Sequence, residues 1–372
     1  MPKILISITS HQTIPNVLFI REVQDVDKYV FIISDQMKQQ YENIVKAVGI
    51  YQKTESILVD AYSLEDVRKQ LNQYGFGEDD EYVVNVTGGT KVMSLGVYQY
   101  FSRLPNVRMY YLPIKDNTYY QEVFPNIGQE VILDYRVDVL EYLMSYGIEI
   151  LNPEDLIPNS KISTRNYFGL YKSNNRSRYN QAIDQIYHYQ KNNYGGRMTP
   201  DIQEFLDTIQ FQPKNSNHLT ARENRYLFSE WFEDFTFYTF QRYLNLDNKH
   251  IKRGVRISLK RSETLNEMDI VFIYNNICHL VECKIGMKGG GRGDRAIKDF
   301  FEKTAYKLGA LKEQFGLSVK PYLFTLDNRL RTRNGNIKMV YKKRAAQQNI
   351  TIVDKKILLN TNLLNEFFNT FK

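Results

Sequence analysis

The sequence predicts an α/β protein in two parts, a parallel-sheet domain in the N-terminal third and a mixed-sheet domain in the C-terminal half. Over residues 1–125 short apolar runs alternate with helix-period stretches, the pattern of βαβ units. From about residue 218 a long aromatic helix leads into three closely spaced apolar strands. The 372 residues suffice for two cores, or three if one is small.

The first part should contain strands at 3–9 (KILISIT), 28–34 (KYVFIIS), 56–60 (SILVD), 82–86 (YVVNV) and 107–112 (VRMYYL). Helices fit 15–24, 36–48, 63–74 and 90–103 between them. Right-handed crossovers in a doubly wound sheet give the order 3-2-1-4-5, with strands one and four adjacent at the switch point. Residues 126–215 are less regular and read as a linker plus a small helical subdomain, with one amphipathic helix in DYRVDVLEYLMSYGIEI at 134–150. Residues 216–372 should form the last domain. Its elements are a helix at 221–244, strands at 252–259, 267–274 and 277–285, the loop GMKGGGRGD, a basic helix near 295–315, and strands near 319–326 and 350–353.

Composition is that of a soluble globular chain, 42% hydrophobic and 24% charged, with 28 Tyr and 21 Phe. No apolar run reaches the roughly 18 residues of a spanning helix, and MPKILISITS begins as a strand, so a cytoplasmic location without membrane contact is expected. Cys278 and Cys283 are five residues apart, facing opposite sides of one strand, and read as packing residues rather than a disulfide or zinc pair. The net charge of +7 is unevenly spread: residues 286–345 hold 15 Lys or Arg against 5 Asp or Glu. Such a concentration points to a polyanionic partner, unless it is an ordinary solvated basic face.

Two loops at the switch point could hold a ligand. In NVTGGTK the turn Thr87-Gly88-Gly89-Thr90 opens a helix whose N-terminal amides attract an anion, and Lys91 adds a donor. Strand one ends in TSHQTIPN, which brings Ser10, His11, Gln12, Thr13 and Asn16 to the same edge. Tight turning and helix capping would also account for these residues. The dinucleotide fingerprint GxGxxG is absent after strand one, so a different phosphate ligand is expected.

The second site follows from a hairpin. With Asn275-Asn276 as a two-residue type I′ turn, Tyr274 faces Ile277, and counting back sets Asp269 opposite Glu282. Two carboxylates about 5 Å apart repel unless something positive bridges them. A divalent cation, Mg²⁺ or Mn²⁺, suits oxygen donors of this kind. Lys284, on the same face as Glu282, could orient a water and offset charge developing on phosphate. An exposed Glu–Lys ion pair is the plain alternative. Glu230 and Glu233 share a helix face with Glu223 one heptad earlier, and spacing alone leaves Glu233's membership of the site open. Lys298, Lys303 and Lys307 are expected near one side of the basic helix, contacting nucleic-acid phosphates, with the glycines before them forming a mobile entrance loop. His279 reads as a packed core residue.

Taken in order, SHQTIPN, NVTGGTK, SEWFEDF and MDIVF…HLVECK resemble the CRISPR ancillary nucleases that join a CARF sensor domain to a PD-(D/E)XK, restriction-endonuclease-like domain. The resemblance implies a Rossmann-like sensor and a homodimer that binds a cyclic oligoadenylate, expected to be cyclic tetra-adenylate, made by a type III complex. It implies ligand contacts at Ser10, Gln12, Thr13, Asn16 and Thr87 through Lys91. It also implies a metal site of Asp269, Glu282 and the Cys283 backbone carbonyl, with Lys284 and Glu233 completing the catalytic set. Met268 stands where the motif has Pro. The readings set against a ligand-gated endonuclease are a non-catalytic nucleotide-sensing regulator and an unregulated restriction- or repair-type nuclease.

Overall fold

The structure is a computed structural model that describes residues 1–113, 117–153, 160–192, 194–259, 262–286 and 293–371. Its first sheet contains β1 (Lys3–Ile8), β2 (Lys28–Ile33), β3 (Thr54–Leu58), β4 (Glu81–Asn85) and β5 (Val107–Tyr111), all parallel, in the expected order 3-2-1-4-5. The sheet then continues past the expected strands. β6 (Tyr119–Phe124) pairs antiparallel with β5, and β7 (Glu130–Ile132) pairs antiparallel with β6 at the edge.

The β1 run Leu5, Ile6, Ser7 and Ile8 is buried because helices cover both faces of the sheet. On one face lie α1 (Ile14–Glu22) and α2 (Lys38–Val48); on the other lie α3 (Leu64–Tyr74) and α4 (Lys91–Phe101). Local chemistry sets their ends. Ser63 and Thr90 cap the first turns of α3 and α4, and Gly49 and Gly75 end α2 and α3 in the left-handed conformation.

The helix expected across 134–150 is corrected. It is confined to α5 (Val139–Ser145), capped by Asp138, and Gly147 at φ +73° turns the chain out of it. The following IEI is then a strand, β8 (Ile148–Pro153), at the edge of the second sheet beside the strand Ile251–Leu259. The middle of the chain supplies α6 (Ser160–Lys172), α7 (Asn180–Lys191) and α8 (Pro200–Ile209), with a short ribbon of β9 (Gly196–Arg197) and β10 (His218–Leu219). The long aromatic helix also differs from expectation. It is α9 (Ala221–Arg225), a π-helical turn at Tyr226–Glu230, and α10 (Trp231–Leu244).

The second sheet has the order β15-β14-β13-β12-β11-β8. Here β11 is Ile251–Leu259, β12 Ser262–Tyr274, β13 Ile277–Lys284, β14 Lys320–Thr325 and β15 Thr351–Val353. Between β13 and β14 runs α11 (Asp294–Gln314); α12 (Met339–Gln347) precedes β15, and α13 (Lys355–Leu359) and α14 (Thr361–Asn369) follow it. Most of the expected glycine-rich loop, residues 287–292, lies outside the described residues. The alternating α-β-β-β-α-β plan is as read from the sequence.

One apolar core joins the two sheets. It passes from Leu5, Val17 and Phe19 of the first domain through Tyr142 and Leu143 of α5 to Leu308, Leu311 and Phe315 of α11 and Leu323 of β14. Close-packed interiors have low compressibility and transmit strain.

The hairpin turn is anchored in that junction. Asn275 and Asn276 have φ of 50° and 58°, as a type I′ turn requires. The buried Asn276 amide accepts from Val137 N at 3.0 Å and donates to the carbonyls of Asn117 at 2.9 Å and Tyr135 at 3.2 Å. Asn276→Ala leaves the buried Val137 N–H and the Asn117 carbonyl unpaired, takes one of two donors from the Tyr135 carbonyl, and puts a Cβ without an amide at positive φ. A loss of about 2–4 kcal/mol is expected in urea unfolding. A loss below about 0.5 kcal/mol would show the anchor to be idle.

Candidate active site and sensor site

The register from Tyr274↔Ile277 to Ile270↔Val281 is the one counted from the sequence, and one more step sets Asp269 opposite Glu282. Both carboxylates are buried, Asp269 at 7% exposure and Glu282 at 4%. The bridging positive charge is supplied by lysines. Lys284 Nζ lies 2.7 Å from Glu282 Oε1 and 3.3 Å from Asp269 Oδ2, and Lys307 Nζ lies 2.8 Å from Glu282 Oε2. The Cys283 backbone N–H donates to Asp269 Oδ2 at 2.7 Å.

This arrangement separates the two acids. Burial, and then the Glu282 charge, push Asp269 up to about 6. Burial works in the same sense on Glu282, but Lys284 and Lys307 more than offset it and hold that carboxyl below the usual range. Burial disfavours the charge on Lys284, and Asp269 and Glu282 reverse this, raising its pKa. Neighbouring carboxyls with divergent proton affinities are a mark of functional sites.

Of the three helix acids, the structure brings one toward the centre. Glu223 is spent in a capping box with Thr220, and Glu230 pairs with Arg225. Glu233, on the first turn of α10, is pushed well above the carboxylate range by burial and then by the Asp269 charge. Beside it lies an ion pair that sequence reading missed: Arg253 of β11, with Nε 2.7 Å from Asp234 Oδ1 and Nη1 3.9 Å from Glu233 Oε2. Its alternating position on a strand was the available signal, and the buried partner was not visible.

The lysine stripe is corrected. α11 is continuous, so Lys298 and Lys307, nine residues apart, are about two and a half turns apart and on opposite sides. Lys298 and Lys303 are exposed, while Lys307 turns inward onto Glu282. His279 is packed, as expected, stacked on Phe272 with ring centroids 4.4 Å apart. Both cysteines are free and buried.

At the first sheet, β1 and β4 are neighbours and their two loops touch. A Cβ on Gly88 would lie 2.0 Å from the Ile8 carbonyl oxygen, and Gly89 has φ +74° against the Ile8 side chain, so both glycines are needed for this close approach. Ser10 and Thr87 are half-buried, and His11, Gly89 and Lys91 are exposed at the edge. Thr90 spends its hydroxyl on capping α4 and on the Ala61 carbonyl. Thr13 and Asn16 are turned away from the edge: Thr13 Oγ1 meets Ser145 Oγ at 2.8 Å, and Asn16 Nδ2 donates to Ser7 Oγ at 2.9 Å and to Ile8 O at 3.1 Å. Both are fully buried and secure the loop. The Gln12 side chain also leaves the edge and reaches the second domain, where its Oε1 accepts from Leu317 N at 2.9 Å and from the Tyr146 hydroxyl at 3.4 Å. A neighbouring cleft of about 410 Å³, lined by Ser34, Asp35, Asp60 and Tyr62 among others, was not anticipated.

A switch-point loop pair and an Asp-Glu-Lys centre on a mixed sheet define a sensor domain joined to an endonuclease-type domain. Residues 4–142 match the family described as the Card1 CARF domain, and residues 220–363 match the Card1-like endonuclease domain. The chain belongs to the family that joins these two domains, the CRISPR ancillary nucleases its motifs resemble. No protein of curated function matches it in sequence. Among solved structures, protein VC1899 from Vibrio cholerae is similar over 99% of this chain and 98% of its own, at 15% identity and a TM-score of 0.76. Can2 from Sulfobacillus thermosulfidooxidans, solved in complex with cyclic tetra-adenylate, is similar over 99% of each chain, at 18% identity and a TM-score of 0.71. These are likenesses of fold.

Proposed function

We propose that this chain is a cyclic tetra-adenylate-activated, Mg²⁺- or Mn²⁺-dependent endonuclease of type III CRISPR antiviral defence. It acts in the cytoplasm, as a homodimer, on phosphodiesters of DNA or RNA. The observation that carries the reading is the Asp269–Glu282–Lys284 cluster built on a hairpin whose turn is tied to the CARF-type domain. The whole-chain likeness to Can2, which was solved with cyclic tetra-adenylate, supports that activator. Exposed Leu95 and Tyr98 on α4, with exposed Tyr111 of β5, supply apolar surface for a second copy. No helix among the described residues is long and apolar enough to cross a membrane.

The donors fit a hard divalent cation. Asp269 and Glu282 are buried oxygen donors whose charge already draws two ammonium groups, and the Cys283 carbonyl is adjacent in the chain. Among the described residues no three His, Cys, Asp or Glu converge as a metal cluster, so water and substrate phosphate would complete the shell. When bound, the cation supplies Lewis-acid stabilisation of charge on the phosphodiester. Lys284 is set to orient the attacking water and meet negative charge, and burial and the Asp269 charge favour the neutral form of the nearby Glu233 carboxyl. Lys298 and Lys303 contact phosphates without regard to sequence.

The test is incubation of plasmid, single-stranded DNA and RNA with Mn²⁺, with and without cyclic tetra-adenylate. Cleavage is expected only with activator and metal, and chelation should reduce it at least about a thousandfold. Cleavage surviving Glu282→Ala would remove the site assignment. Activator binding without cleavage would favour a regulator, and equal cleavage with and without activator would favour an unregulated nuclease.

A further inference from the structure

Lys307 and Gln12 lie in different domains, yet one helix connects them. Lys307 holds Glu282 Oε2 from the middle of α11. Eight residues later, about 12 Å along the axis, the helix ends at Phe315. That end is held from outside. The buried Tyr142 hydroxyl donates to the Phe315 carbonyl at 2.9 Å, and Gln12 Oε1 accepts from Leu317 N at 2.9 Å. Gly316, at φ +105°, fits beneath this contact, since a Cβ there would lie 2.3 Å from the Tyr146 hydroxyl oxygen and 3.0 Å from Gln12 Oε1. Gln12 is itself held from the sensor edge: its N–H donates to Ser10 Oγ and its carbonyl accepts from the same hydroxyl, both at 3.2 Å.

We propose that Gln12 is a positioning residue that couples the sensor edge to the catalytic cluster: by holding Leu317 N–H it fixes the end of α11, and through α11 it sets Lys307 on Glu282. The inference rests on the ligand-gated reading above. A ligand that moves the Ser10–Gln12 segment displaces the end of α11. Leu308, Leu311 and Phe315 are locked in the shared core, so the helix shifts as a unit and Lys307 moves relative to Glu282. Glu282 is thereby held by two lysines in one state and released to other partners in the other.

The test compares wild type, Gln12→Leu and Gln12→Glu in the full chain. It measures cyclic tetra-adenylate affinity by direct titration and cleavage rate at saturating activator, together with amide exchange at Leu317. Gln12→Leu should bind activator within about threefold of wild type, while its stimulation at saturation falls about 5- to 20-fold and Leu317 exchanges faster. Gln12→Glu keeps the acceptor oxygen and should restore stimulation at saturation. Weakened affinity with full stimulation at saturation would make Gln12 a ligand contact and overturn the coupling. Unchanged stimulation in Gln12→Leu, or no rescue by Gln12→Glu, would overturn it equally. If wild type itself is not stimulated, the ligand-gated reading falls and takes the coupling with it; if wild type responds and Gln12→Leu responds equally, the coupling alone falls.

Discussion

Asp269→Asn is expected to lower cleavage by about a hundred- to ten-thousandfold while leaving the metal-free protein as stable as wild type, or more so, at pH 7. The two halves of this expectation have one cause. Asp269 is buried opposite Glu282, and burial and that charge raise its pKa from 3.8 to about 6. Ionisation of Asp269 therefore costs stability at neutral pH, on the order of 3 kcal/mol. Asparagine can still accept the Cys283 N–H bond, and Glu282 keeps its two lysines.

The sign of the pH dependence is opposite to that of an ordinary salt-bridged aspartate. Between pH 3.8 and about 6 the folded state holds a proton on Asp269 that the unfolded state has released. The folded state binds more protons there, so this group's contribution to stability falls as pH rises through that window and levels off above it. Urea unfolding of metal-free protein at pH 4.5 and pH 7 should thus show a steeper fall for wild type than for Asp269→Asn. An asparagine variant that cleaves normally, or that is the less stable protein at pH 7, would make Asp269 a structural residue.

How much of this was legible in the sequence depends on the range of the interaction. The Asn275-Asn276 turn is a local signal, and it fixed the register that places Asp269 against Glu282. The order of the parallel strands followed from crossover handedness and was legible for the same reason. The helix expected over 134–150 stops at Ser145 because Gly147, in the left-handed conformation, turns the chain against the apolar period that runs on past it. The π-helical turn before α10 had no local signal. Thr13 and Asn16 read as ligand groups in the sequence because capping, buried bonding and ligand contact use the same side chains. The inward contacts of Lys307 and Gln12, expected at phosphate and at ligand, had no signal, since a helix period gives a face but not its neighbour, and the Gln12–Leu317 bond joins residues 305 apart.

Arg253→Met is expected to cost about 3–5 kcal/mol, the largest single loss of stability among these variants. The Arg253 side chain is 3% exposed and that of Asp234 not at all, so removing the cation leaves a buried carboxylate without its charge partner. Burial already raises Asp234 to about 6 despite Arg253, and without the guanidinium it rises further. Glu233 loses the same cation, and it stands on the turn of α10 that faces Asp269. The single variant therefore mixes two effects, collapse of the pair and loss of charge beside Glu233. Arg253→Met combined with Asp234→Leu separates them, because replacing both members of a buried pair with apolar groups restores most of the lost stability. If that double variant regains the wild-type unfolding midpoint and still cleaves about tenfold more slowly, Arg253 acts on the site through Glu233. Recovery of both stability and cleavage would confine the pair to scaffolding, and a double variant no more stable than Arg253→Met would show that the cost lies elsewhere in the β11 environment.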